Sequence, residues 1–248
     1  MAGLFDTYGR YYDLLYGDKD YAGEVDYIHR LLDRHGLGGR EVLEFGSGTG
    51  RHGRLLGDRG YQVTGIERSA EMAGQAASTE GFVCQQGDIR EIRLGRTFDA
   101  VLALFHVLSY QVTNADVQAA MMRAAEHLRP GGLFVFDVWY TPAVYTQKPE
   151  VRVKHLLGDG IEATRIAEPM LYHNENRVDV RYTLFIRDLD TGVSQTITET
   201  HAMRHFSLPE LDLLASATGF ERRGAEAFLT GESPSETTWG LCLILRKP

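Results

Sequence analysis

The sequence predicts an α/β fold: a doubly wound, mostly parallel sheet with an antiparallel β insertion after its fifth strand. Three observations predict it. Short apolar runs alternate with amphipathic helical stretches as far as Tyr140, a glycine-rich turn follows the first of these runs, and beyond Tyr140 the hydrophobic period changes to two.

The first strand centres on Val42, Leu43 and Phe45, an apolar run with little alternation, as expected of a strand buried on both faces. It stops at Gly46, Gly48 and Gly50, and a helix is expected over Arg51 to Arg59. Glycines tolerate positive φ and carry no Cβ, so a ligand can lie against bare backbone where the first helical N–H groups are still free. Upstream, the stretch from Leu4 to Tyr21 holds Tyr8, Tyr11, Tyr12, Tyr16 and Tyr21, with Tyr27 just beyond. It fits two readings: a helix laying aromatic rings on the core, or a lid closing over a ligand, for which a cation would suit the ring faces. Val25, Ile28, Leu31 and Leu32 then recur at helical spacing until Gly36, Gly38 and Gly39.

Past the turn, Tyr61 to Glu67 reads as the second strand, and Ser69 suits the N-cap of a helix opening at Ala70. Phe82 to Gln85 gives a third strand that runs out at Gly87 and Asp88, and Phe98 to Leu108 a fourth. Thr113 and Asp116 cap a helix with a buried stripe of Val117, Met121, Ala124 and Leu128. Pro130, Gly131 and Gly132 stop it before the fifth strand, Leu133 to Val138. Alternation at Val178, Val180, Tyr182, Leu184 and Ile186, a turn at Asp188 to Gly192 and an extended run from Val193 to Phe206 describe a hairpin. Val151 to Leu157 and Ile161 to Ile166, joined by Gly158, Asp159 and Gly160, describe another. Three regions result: residues 1–140 as lid and ligand-binding core, 141–206 as an antiparallel insertion with one wet face serving as substrate cap or oligomer contact, and 207–248 completing the core. The last contains a helix over Leu208 to Thr218, capped by Gly219, and a strand over Thr238 to Leu245.

Composition narrows the function. A formal net charge of −8 argues against a nucleic-acid footprint, which needs clustered Lys and Arg. No apolar run approaches the ~20 residues of a membrane helix, and the N-terminus lacks a signal-peptide pattern. Cys84 and Cys242 lie in apolar runs and read as reduced core residues, so a cytoplasmic protein is expected. The insertion leaves room for a homo-oligomer.

In such a sheet the ligand lies beyond the carboxyl ends of the strands. There the glycine turn meets Glu67, which can accept both hydroxyls of a ribose, Asp88, which can accept from an adenine amino group, and Leu104, Phe105 and His106, which can wall the ligand in. Glu67 suits a dinucleotide as well as another adenosine-bearing cofactor. The turn is more selective: five positions after Gly46 stands Arg51 in place of a small residue, and Glu44 precedes the first glycine. A carboxylate there disfavours a pyrophosphate and suits a positively charged ligand.

EFGSGTG (Glu44–Gly50), IER with Glu67, and GD with Asp88 together resemble the glycine-loop, ribose and adenine motifs of class I S-adenosylmethionine-dependent methyltransferases, over roughly residues 40–140. The resemblance implies a Rossmann-like, seven-stranded sheet and S-adenosyl-L-methionine as cofactor, with S-adenosyl-L-homocysteine as product and no metal. It implies that Glu44, Phe45, Gly46, Ser47 and Gly48 hold the methionine part, Glu67 with Arg68 the ribose, and Asp88 with Ile89 the adenine. Glu44 stands where Asp is commoner. Met72 can be core or cofactor contact. YYDLLYGDKDY (Tyr11–Tyr21) and the insertion are similar to small-molecule N-methyltransferases of antibiotic biosynthesis, those acting on nucleotide-linked amino sugars or lincosamide-type antibiotics. That implies Tyr8, Tyr12 and Tyr16 at the site, closing over cofactor and acceptor.

Methyl transfer from a sulfonium is an in-line displacement governed by positioning. An amine of pKa near 10 needs roughly 4–5 kcal/mol to be neutral at pH 7, whereas a hydroxyl of pKa ~15.7 needs roughly 12 kcal/mol for full deprotonation. An amine nitrogen is therefore the expected acceptor and a hydroxyl the alternative. A nicotinamide-dependent oxidoreductase is a further alternative that Arg51 and Glu44 weaken, and a silent cofactor-binding protein is another. His106 is the expected base or substrate contact, with Tyr8 beside it. Its other reading is a hydrogen-bonded histidine at the sheet edge. Phe105, Trp139 and Tyr140 are expected to line the acceptor pocket, although Trp139 also suits core packing. Arg152, Lys154 and Arg165 suit an anionic acceptor such as a nucleotide diphosphate, or plain solvation on a wet hairpin face. His201 and His205 share a strand face, without a metal set around them.

Overall fold

The computed structural model describes residues 11–248 apart from residues 77 and 159, so Tyr8 and the Asp159 of the expected turn lie outside the described residues. The strands are β1 (Glu41–Phe45), β2 (Gln62–Glu67), β3 (Phe82–Gln86), β4 (Phe98–Ala103), β5 (Leu128–Tyr140), β6 (Arg152–Gly158), β7 (Ile161–Tyr172), β8 (Arg177–Asp188), β9 (Ser194–Phe206), β10 (Glu221–Ala227) and β11 (Gly240–Arg246). The helices are α1 (Tyr12–Leu15), α2 (Tyr21–Arg34), α3 (Arg51–Gly57), α4 (Ala70–Gln75), α5 (Asn114–His127), α6 (Thr141–Gln147) and α7 (Leu208–Ala217).

The core sheet runs β3-β2-β1-β4-β5-β11-β10. The first five strands are parallel, and β11 pairs antiparallel with both β5 and β10. This is the expected doubly wound sheet, seven strands across. Side chains alternate between its faces, so Leu43 and Phe45 join the apolar cluster under α5 and α7 while Val42 joins the one under α2 and α3. Fully burying such a side chain stabilises the fold by ~2 kcal/mol, which is why the uninterrupted apolar runs choose the centre of the sheet. Helix starts follow local chemistry: Ser69 Oγ accepts from the Met72 N–H at 3.2 Å, and Thr113 Oγ1 from the Asp116 N–H at 3.1 Å.

The insertion is a four-stranded antiparallel meander, β6 to β9, joined to the core where Trp139 and Tyr140 of β5 pair with His205 and Phe206 of β9. Its inner face packs on α1 through Ala163, Leu184, Ile186 and Ile197. The other face carries exposed Val153, Met170 and Phe185 among polar groups.

Four expectations need correction. β4 stops at Ala103, well short of Leu108, because Phe105 and His106 leave extended backbone. The insertion opens with a helix, α6, for which Pro142 in its first turn was the available signal. β10, ERRGAEA, is a polar edge strand with no alternation to betray it. The expected Leu4–Tyr21 helix is, within the described residues, the single turn α1. Among the described residues no helix is long and apolar enough to cross a membrane.

Candidate active site

At the head of the sheet the chain turns through Gly46, Gly48 and Gly50 with φ of 63°, 57° and 79°, a region costly for any residue with a Cβ. A Cβ on Gly46 would also come within 2.5 Å of Val107. Glu67, ending β2, ties the turn down: Oε2 accepts from the Gly48 N–H at 2.9 Å and Oε1 from the Ser69 N–H at 2.8 Å. Each oxygen keeps a lone pair for a ligand hydroxyl.

Beyond β4, Phe105 and His106 both adopt φ of 63°, a strained conformation for residues other than glycine. The bend brings them over the sheet and leads into a 3-10 turn, Val107–Tyr110. Asp137, the only charged residue in the apolar half of β5, holds the bend. Its Oδ2 lies 2.6 Å from His106 Nδ1 and 3.2 Å from the His106 backbone N–H. Burial opposes ionisation of Asp137, but the His106 ring and the N–H groups of His106 and Phe105 outweigh it and hold the carboxyl below its usual range.

A second buried charge cluster lies behind the glycine turn. His52 Nε2 is 2.7 Å from Glu24 Oε2, which also meets Lys19, and His52 Nδ1 is 3.8 Å from Glu44 Oε1. Lys19 Nζ stands over the rings of Tyr21 and Phe105, at 4.2 and 4.5 Å from their centroids. Burial, with the Glu67 charge adding to it, pushes the Glu44 carboxyl up to about 8, and Glu44 Oε2 meets no hydrogen-bond donor among the described residues.

These elements surround a cavity of about 500 Å³. Its floor is Gly46 to Thr49, Glu67, Arg68, Met72, Asp88 and Ile89, with Leu104, Phe105 and His106 beside them. Tyr12, Tyr16 and Tyr21 close one side, and Trp139 and Trp239 another. The inner face of the insertion is the roof, bringing Arg152, Arg165, Val180, Tyr182 and Met203 into the wall.

Most of the expected site residues therefore meet in one cavity. Three do not: Glu44 is buried behind the turn, Phe45 lies in the core, and Tyr140 packs beside α7 and the core apolar cluster. Asp88 lines the cavity but is already engaged, its Oδ1 accepting from the Arg90 backbone and Nε at 2.9 Å and its Oδ2 from Arg90 Nη2 at 2.6 Å. Lys154 turns away to Asp18 and the Leu15 carbonyl. Residues not anticipated include Asp137, whose lone charge in an apolar strand was a usable signal, and Tyr110, Tyr182 and His52, which carried none apart from residue type. Among the described residues no group of three or more His, Cys, Asp or Glu side chains could hold a metal ion.

Residues 42–132 match the profile of the methyltransferase domain. The chain is 30% identical over 211 residues, 84% of its own length and 87% of the relative's, to the dTDP-3-amino-3,4,6-trideoxy-α-D-glucopyranose N,N-dimethyltransferase of Streptomyces venezuelae. It is 29% identical, over 84% of its length and 81% of the relative's, to the dTDP-3-amino-3,6-dideoxy-α-D-glucopyranose N,N-dimethyltransferase of Streptomyces fradiae. Among solved structures, DesVI of Streptomyces venezuelae superposes with a TM-score of 0.81 at 25% identity, covering 97% of this chain and 98% of that one. The sugar N-methyltransferase KedS8 from Streptoalloteichus shares the fold, with a TM-score of 0.82 at 22% identity over 100% of this chain and 94% of its own. A glycine turn braced by the carboxylate that ends β2, on a sheet of this order and with likeness sustained over most of both chains, leaves one conclusion: the chain belongs to the S-adenosylmethionine-dependent methyltransferases.

Proposed function

We propose that this methyltransferase acts on the amine nitrogen of an amino sugar carried on a nucleoside diphosphate, as in the biosynthesis of glycosylated antibiotics. One observation carries the acceptor: two guanidinium groups, Arg152 and Arg165, enter the roof of a cavity whose floor is acidic. A diphosphate suits bidentate guanidinium donors, and the acidic floor suits the cation at the other end. The names of the relatives, dTDP-amino-sugar N,N-dimethyltransferases, support the same class. Membership of the family sets the nicotinamide alternative aside.

The residues present fit the cofactor. The turn offers a cradle that a Cβ at Gly48 would crowd against Met72 at 3.1 Å, and Glu44 Oε2 is a buried acceptor in want of a positive partner. We assign Gly46, Ser47 and Gly48 to the methionine part, Glu67 and Arg68 to the ribose, and Asp88 with Ile89 to the adenine. Met72, Leu104, Phe105 and Tyr16 are contacts along its length, while Glu44 acts from behind through its field. S-adenosylmethionine supplies an electrophilic methyl group on a sulfonium sulfur.

The chain's own part is positioning and proton handling. Phe105 and His106 stand beside the turn, with the Asp137 carboxylate 2.6 Å from His106 Nδ1. Asp137 holds the His106 ring beside the turn, so His106 can take a proton from the incoming amine. Tyr12, Tyr16 and Trp139 exclude water and orient the sugar. The insertion, residues 141–206, is the acceptor cap. A hydroxyl acceptor remains the second reading, because a His–Asp pair is what that harder deprotonation would need. We read the protein as cytoplasmic, in keeping with two free cysteines.

The test is turnover of S-adenosylmethionine with dTDP-3-amino-3,6-dideoxyglucose and with its 3-hydroxy counterpart. Methylation of the amine alone supports the proposal. Methylation of the hydroxyl alone replaces it with the second reading.

A further inference from the structure

Methylating an amine leaves a proton to dispose of. As the nitrogen–carbon bond forms and the donor's carbon–sulfur bond breaks, the positive charge passes from sulfur to nitrogen. The resulting ammonium must lose a proton before its lone pair can attack a second methyl, and an incoming ammonium must do so before the first.

One hydrogen-bonded chain leads out of the cavity for such a proton. Tyr110 lines the wall at the end of the turn that begins at His106, and its hydroxyl lies 3.1 Å from His201 Nδ1. His201 Nε2 lies 3.4 Å from Glu199 Oε2. His201 and Glu199 are two residues apart on β9 and so share the inner face of the roof. The His201 side chain is 2% exposed and that of Glu199 14%, so the chain runs from a dry interior towards water.

Burial, with neighbouring phenols adding to it, keeps the Tyr110 hydroxyl protonated, so it can donate to His201 Nδ1. A ring that accepts at Nδ1 carries its proton on Nε2 and donates to the Glu199 carboxylate. The titratable groups facing this chain are Tyr182 of β8, edge-on to His201 at 4.9 Å, Tyr12 and Tyr16 at the N-terminal side, and Glu67 of β2. Arg165 of β7 stands 5.5 Å over the Tyr182 ring.

We propose that Tyr110, His201 and Glu199 form a relay that carries the proton of the methylated ammonium from the cavity to the rim of the insertion, after His106 has taken that of the incoming amine. Tyr110 Oη accepts the N–H proton as its own passes to His201 Nδ1. His201 hands its Nε2 proton to Glu199 Oε2, and Glu199 releases it to water. Of the three only Tyr110 meets the acceptor, and His201 and Glu199 act through it. The inference rests on the amine-methylation reading.

The experiment compares wild type with Tyr110→Phe, His201→Gln and Glu199→Gln, using S-adenosylmethionine and dTDP-3-amino-3,6-dideoxyglucose from about pH 7 to about pH 10. Mono- and dimethylated products are separated by mass. Each variant should lose roughly tenfold or more in kcat near neutrality, within the usual range for proton-transfer groups, while KM for both substrates holds. The monomethylated product should accumulate. The deficit relative to wild type should shrink as the pH nears the amine's ordinary pKa of about 10, where solvent deprotonates it. Glu199→Gln, nearly isosteric and at the rim, keeps the test valid should the buried substitutions unfold the chain. A deficit that is the same at every pH, or none, overturns the relay and leaves N-methylation standing. A wild-type enzyme that methylates no amine overturns both.

Discussion

Replacing Glu44 by glutamine should stabilise the cofactor-free protein, and increasingly so as the pH rises. Burial, then the charge of Glu67, pushes the Glu44 carboxyl from an ordinary value of 4.5 up to about 8. In the unfolded chain it ionises near 4.5, while in the fold it holds its proton until about 8. Below 4.5 both states are protonated and the site is neutral in its effect. Between the two values the unfolded state alone gains from ionisation, so stability falls as pH climbs, and above 8 the full penalty is present. At about 1.4 kcal/mol per pH unit the distance from 4.5 to 8 corresponds to an upper limit of about 5 kcal/mol. Urea denaturation of wild type and Glu44→Gln at about pH 5 and about pH 9 reads the difference directly. The stability gap should widen in favour of glutamine by several kcal/mol at the higher pH. A gap independent of pH would refute the reasoning. The same penalty has a use, since a sulfonium nearby favours the ionised form. Binding of S-adenosylmethionine near pH 7 should therefore expel a proton, visible by calorimetry in two buffers of different ionisation enthalpy.

Other outcomes follow from the same geometry. Glu67→Ala removes the carboxylate proposed to accept from the ribose hydroxyls and frees the Gly48 and Ser69 N–H groups, so cofactor affinity should fall on the order of 100-fold by calorimetry; unchanged affinity would remove the assignment. His106→Ala should lower kcat by roughly 100-fold or more with cofactor binding intact, and Asp137→Asn should lower it in the same direction, measured as S-adenosylhomocysteine release. Arg165→Ala should raise KM for a nucleotide-linked acceptor by roughly tenfold and leave that for the unlinked amino sugar unaltered. Gly46→Ala should lower the melting temperature, because the new Cβ meets Val107 at 2.5 Å from a backbone with φ of 63°.

The core was legible because burial writes itself into composition. Val42, Leu43 and Phe45 could only be a strand covered on both sides, and the glycines after them marked the turn that Glu67 braces. The end of β4 was not legible. Phe105 and His106 continue an apolar run, and nothing in hydrophobicity distinguishes a buried strand from a strained bend covered by the roof. β10 escaped for the opposite reason: an edge strand facing water need not alternate, and its pairing with β11 is set by backbone. Arg152 and Arg165 suited either an anionic acceptor or plain solvation on a wet hairpin face. The docking of that sheet over the cavity brings them into its wall, and docking is a tertiary event that local period cannot report. Asp137 did carry a signal, since a carboxylate amid apolar strand residues needs a buried partner.

The most direct test of the whole account is one incubation. Purified protein, S-adenosylmethionine and dTDP-3-amino-3,6-dideoxyglucose are combined and the products followed by mass spectrometry. The account predicts S-adenosylhomocysteine in step with a sugar heavier by one CH₂ unit per methyl, carried on nitrogen. Cofactor that stays intact with every amine offered, or a methyl found only on oxygen, would contradict it.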